Sequence, residues 1–231
     1  MITSLSRRRV RAFRSRSGRL SRPTAGDGVP ECRSQVSVVC SVREMTRSER
    51  LAEQLDRHWR KNLRPRLDGL TDEEYFWEPV RGCWSIRPGG TSAAPMSAGS
   101  GEWAMDSASP HPVPAPVTTI AWRLAHLIVS CLGYRVGWHF GGQDVDSQTF
   151  AYAGTADEAL KQLDEMYGGW NAGVRELSDT DLENPPTVGP ERFPMEGIVL
   201  HVNRELIHHG AEISLLRDLY RWQDEAVPHQ I

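Results

Sequence analysis

The apolar positions of this chain fall into four long stretches with a helical step. Leu51, Leu55, Trp59 and Leu63 recur every fourth residue between about Ser48 and Arg64, with Ser48 placed to cap the start and Pro65 to stop the end. A second stretch begins at Thr118 or Thr119 and runs through Trp122, His126 and Cys131 to about Phe140, where Gly141-Gly142 ends it. It is apolar nearly all round, so it should be central. The third is capped at Thr155, carries Asp157 and Glu158 in its first turn, and continues through Leu160, Leu163, Tyr167, Trp170 and Val174 to about Leu177. The fourth starts near Pro194 and reaches about Trp222.

The connections read differently. Leu70–Pro79 suggests a short capped turn of helix presenting aromatics, 179–190 is rich in turn residues, and 89–116 is mostly Gly, Ser, Ala and Pro, the pattern of a flexible internal loop. No strand-like alternation of any length and no internal repeat is present. The expected fold is all-α, a four-helix bundle over residues 45–225 whose long first-to-second connection permits a crossover.

Charge refines the boundaries. Residues 1–44 hold ten Arg against three acidic residues, a balance of +7, so the net charge of −3 leaves −10 on the rest of the 231 residues. That Ser-rich start has no helical period and is expected to be a disordered Arg-rich extension, resembling a transit peptide or a nucleic-acid arm, or else translated ahead of a true start at Met45. The acidic remainder argues against nucleic-acid binding through the folded surface. No apolar run is long enough to span a membrane. Cys32, Cys40, Cys83 and Cys131 show neither a C-x-x-C pair nor metal-ligand spacing; two lie in the Arg-rich start, and Cys83 and Cys131 read as reduced thiols of a cytoplasmic protein.

The fourth helix carries the candidate chemistry. Glu205 and His209 stand four residues apart and share one face with Ile198, Val202 and Leu216, all within roughly 40° of a common direction at 100° per residue. That face points to the core, where a lone carboxylate is costly to bury. A divalent ion would compensate it and would suit the neighbouring imidazole. A third donor must come from another helix, and His126, midway along the central one, is the best placed. His208 points about 100° away from His209, and with His201 and Glu212 it suits a supporting or substrate-binding place around the ligands. Glu205-Leu-Ile-His208 has the Glu-x-x-His form of di-iron bundles, but a second such element is missing from the chain.

Trp122-x-x-x-His126, together with Arg204-Glu-Leu-Ile-His-His-Gly-Ala-Glu-Ile213 and the aromatic turn Tyr75-Phe-Trp-Glu-Pro79 with Cys83-Trp-Ser85, resembles the DinB-like (mycothiol-dependent maleylpyruvate isomerase-like) superfamily of four-helix metalloproteins. The resemblance covers about residues 46–222, and 89–116 departs from the family's compact connection. It implies His126, Glu205 and His209 as ligands of zinc, nickel or another divalent ion. Many members have a third His where this chain has Glu205, while the isomerase branch has Glu there. The implied activity is a thiol transferase or isomerase that uses a low-molecular-weight thiol, such as mycothiol, on an electrophilic substrate. A non-catalytic metal-binding bundle, serving as a stress-associated or binding module, is the alternative. Arg123, Arg204 and Arg217 are the cations available for acidic parts of the thiol or substrate. A homodimer is open to such a chain.

Overall fold

Thr46, not Ser48, begins the first helix. Its hydroxyl accepts the Glu49 N–H at 3.2 Å while the Glu49 carboxylate accepts the Thr46 N–H at 2.8 Å, a reciprocal cap. Ser48 lies buried inside the first turn with its hydroxyl toward the Arg175 carbonyl. The structure, a computed structural model, describes residues 44–223, so the expectations for residues 1–43 lie outside the described residues.

Helix α1 spans Arg47–His58, passes into a π-helical segment, Trp59–Leu63, and closes as α2, Arg64–Arg66. Pro65 does not stop it. Proline sits in the first turn of α2, a place that tolerates its missing N–H. A short helix α3, Asp72–Tyr75, capped by Thr71, follows as the aromatic turn.

Strands appear where the sequence suggested none. Strand β1 is Ile86–Pro88, β2 is Met96–Ala98 and β3 is Trp103–Ser107, and they form an antiparallel sheet in the order β1-β3-β2. Ile86 and Ala98 both pair with Met105, so β2 and β3 lie inside the stretch read as a loop. Three to five residues are too few to show a two-residue period. Buried Asp106 replaces that signal, accepting the Ser85 N–H and the Arg87 Nε–H, each at 2.9 Å.

The second long helix follows its expected bounds. Helix α4, Ile120–Ala125, is capped by Thr119; a π-helical segment, His126–Gly133, continues it; and α5, Tyr134–Phe140, ends at Gly141 with φ of 68°. Helix α6, Ala156–Glu176, is capped by Thr155, and α8, Met195–Trp222, follows Pro194. The turn-rich break between them contains one short helix, α7, Asp179–Glu183.

The described residues are thus mostly helical with one small sheet. Helix α1 packs on α6 and α8, while the π-helical segment of the second long helix packs on both α6 and α8. Leu55, Leu63, Leu124, Ile128, Leu132, Leu163, Trp170, Val202, Leu206 and Ile213 are all almost fully buried among them. Trp59 stacks on Tyr167 with ring centroids 3.9 Å apart. Among the described residues, no helix is long and apolar enough to cross a membrane.

Candidate metal centre

The sheet reaches the site through one hydrogen bond. Trp122 Nε1 donates to the Asp106 carbonyl on β3 at 2.8 Å, which fixes the indole against α4. One turn on, His126 stacks on that indole with centroids 5.4 Å apart and planes 9° from parallel. Its ring then meets His209 of α8 edge-on at 4.8 Å. Glu205 Oε2 lies 3.3 Å from His209 Nε2, so the three sequence-derived residues are neighbours, while the donor atoms that lie within 4.8 Å of one another form two groups, one with His126 and Glu205 and the other with His209.

Burial, with His209 and Arg123 adding to it, pushes the pKa of His126 down from 6.5 to about 4, so the imidazole is neutral near pH 7. For Glu205 burial acts the other way, but a hydrogen bond from Arg204 and the nearby His201 and His209 outweigh it and bring the carboxyl below its ordinary range. The site therefore offers an unprotonated imidazole and an ionised carboxylate, the protonation states that a metal ligand requires.

Glu212 Oε2 lies 2.6 Å from His209 Nδ1 and 3.0 Å from an Arg123 nitrogen. His208 is largely exposed, with Nε2 3.3 Å from Glu212 Oε1. His201 is half-exposed, its Nδ1 3.6 Å from Glu205 Oε1, and Arg204 pairs with the same oxygen at 3.2 Å. Of the other histidines described, His139 lies 4.0 Å from Glu191 and His58 contacts Asn62, so neither is bound to this cluster. Arg217 is committed elsewhere, in a buried pair with Glu74.

Sequence reasoning missed Cys131. Its Sγ stands 3.5 Å from His126 Nε2, and His126, Cys131 and Glu205 offer donor atoms all within 4.8 Å of one another. Five residues at 100° each would leave His126 and Cys131 about 140° apart on an α-helix. The π-helical segment instead bonds residues five apart, which brings the two side chains together. Burial pushes the thiol up to about 12, so it is protonated near neutral pH. A second donor group, His208, His209 and Glu212, lies on the adjoining face of α8.

Two crossing helices that present histidines and carboxylates from a mostly helical core define a helical protein with a candidate metal centre. The family model of the DinB superfamily matches residues 54–213, and the chain belongs to that superfamily. Neither the curated proteins nor the solved structures give a match to it.

Proposed function

We propose that this protein is a divalent-metal-dependent thiol transferase or isomerase, a DinB-like four-helix bundle in which His126 of the second long helix and Glu205 and His209 of α8 hold the ion. One relationship carries the metal reading. His209 Nδ1 lies 2.6 Å from the Glu212 carboxylate and 3.2 Å from Arg123 Nη1, and with Glu212 accepting from Nδ1 the neutral ring turns the lone pair of Nε2 outward. That lone pair faces Glu205 Oε2 at 3.3 Å. Two acceptors then face each other, and a metal ion or a further proton between them satisfies both.

The donor set suits zinc first, with nickel or another divalent ion also accommodated by nitrogen and oxygen ligands. Bound there, the ion supplies Lewis acidity that lowers the pKa of a small thiol such as mycothiol or of water. The chain's own residues prepare the place. Glu212 holds the His209 proton on Nδ1 and fixes the ring, as outer partners of metal-bound histidines do. Trp122 stacks against His126 and keeps its ring from turning. Arg204, exposed on the rim beside Glu205, holds the carboxylate ionised and is free on its outer side to meet an anionic thiol or electrophile.

A second reading has its own support. His126 and the Glu205–His209 pair come from different helices, so an ion joining them would tie the second long helix to α8. A non-catalytic module stabilised by its metal would be built this way.

Elemental analysis of protein purified without added chelator tests the first step. About one divalent ion per chain is expected, lost in Glu205→Ala and His209→Ala, while Glu212→Gln should weaken binding about 10- to 100-fold. Protein that stays metal-free in excess zinc rules the reading out. Metal-loaded protein offered mycothiol, bacillithiol or glutathione with a panel of electrophiles then separates enzyme from module. Turnover that chelation abolishes while helicity persists supports the enzyme, and unfolding on chelation with no turnover supports the module.

A further inference from the structure

Helix α8 carries a second pattern on the side away from the metal centre. Leu200, Arg204, Ile207, Ala211, Leu215, Asp218 and Trp222 follow steps of 4, 3, 4, 4, 3 and 4 residues, two 11-residue repeats that hold one stripe along a nearly straight helix. The stripe is open to solvent: Leu200, Leu215 and Trp222 are each more than half exposed. Glu205 and His209 point roughly 120° or more from its midline. Apart from Ile207, which packs in part against the core, and Arg204, which reaches back to Glu205, the stripe serves neither the core nor the proposed ion.

The stripe is symmetric about Ala211. Reversed end for end, it places Leu200 against Trp222, Arg204 against Asp218, Ile207 against Leu215, and Ala211 against itself. From these relationships we infer that a second copy of this chain docks on α8, antiparallel, with the two-fold axis passing at Ala211. Such an interface uses one patch twice. It buries two apolar pairings, each with its symmetry mate, and it lets the helices approach where Ala211, the smallest side chain, meets itself on the axis.

Charge selects both the occupant and the direction. The Arg204 and Asp218 side chains are 68% and 48% exposed, so each can take a further partner beside its contact within the chain. Antiparallel pairing forms two Arg204–Asp218 contacts between copies. Parallel pairing would set Arg204 against Arg204 and Asp218 against Asp218, and like charges in contact oppose association. The flanking relief is complementary too. Two grooves flank α8, one of about 1000 Å³ between α1 and Leu200 and Ile207, and one of about 510 Å³ between the π-helical segment Trp59–Leu63 and Ala211 and Leu215. Because Ile207 opposes Leu215, each groove faces the apolar side chain of the other copy's half. This inference stands apart from the metal reading and survives its failure.

Sedimentation of the full chain should give twice the mass of one chain, and Leu215→Asp should give one. Arg204→Asp and Asp218→Arg should each weaken the dimer at least about tenfold, and the two together should restore it. All these positions are exposed, and a circular dichroism spectrum confirms that each variant is folded. In a background with Cys32 and Cys40 changed to Ser, Ala211→Cys should cross-link to itself under mild oxidation. A full chain that sediments as a monomer overturns the inference, including one that dimerises only after residues 224–231 are removed, since the stripe's occupant is then its own terminus. A dimer that Leu215→Asp leaves intact, that the double charge exchange does not restore, or that Ala211→Cys does not cross-link also overturns it.

Discussion

Cys131 Sγ lies 3.5 Å from His126 Nε2, and both residues belong to one π-helical segment. The thiol is 3% exposed at residue level and its pKa is pushed up to about 12, so it is poorly reactive as it stands. Cys131→Ser is expected to keep one ion per chain, because Glu205, His209 and His126 are the proposed ligands. Cobalt-substituted protein gives the check. Loss of a sulfur-to-metal charge-transfer band in Cys131→Ser, together with loss of the ion, would make Cys131 a ligand in place of His209.

Acid should destabilise the metal-free protein through His126. Its folded pKa of about 4 lies below the ordinary 6.5, so between those values the unfolded chain binds a proton that the native state refuses. Stability therefore falls as pH drops through that window, by about 3 kcal/mol once pH is below 4. Urea unfolding of metal-free protein at pH 7 and pH 5 measures it, and His126→Gln should show a smaller difference. Equal losses in the two proteins would place the acid sensitivity elsewhere.

Arg217 and Glu74 form the most buried ion pair described, with two hydrogen bonds at 2.6 and 2.9 Å and both side chains below a tenth exposed. Arg217 also donates to the Asp68 and Arg66 carbonyls, which anchors the turn before α3 to the last third of α8. Glu74→Ala leaves a buried guanidinium without its counter-charge and should cost about 3–5 kcal/mol in denaturant unfolding. Glu74→Leu with Arg217→Met should cost less than Glu74→Ala alone. A double variant as unstable as the single one would show that the carbonyl contacts, not the charge, hold the turn.

Local signals carried the helices. Thr119, Thr155 and Gly141 lie at the ends that their side chains or backbone freedom favour, and Glu205 and His209 share a face because four residues make about one turn. The same local view erred where a register changed. Pro65 continues a helix because a π-helical segment precedes it, and Ser48 yields the cap to Thr46 because Glu49 completes the reciprocal pair. The sheet was not legible, since its strands are held by Asp106 and by pairing to residues far along the chain rather than by alternation.

By itself the sequence determined the four long helical stretches, the one-turn spacing of Glu205 and His209 and the repeat on the far side of α8, because all three depend only on the rise and turn of a helix. Tertiary structure decided what those faces meet. It placed His126 edge-on to His209, turned Cys131 into the cluster through a local change of helical register, and gave Arg217 to Glu74 rather than to a substrate. Each of these rests on contact between segments whose packing no local rule specifies.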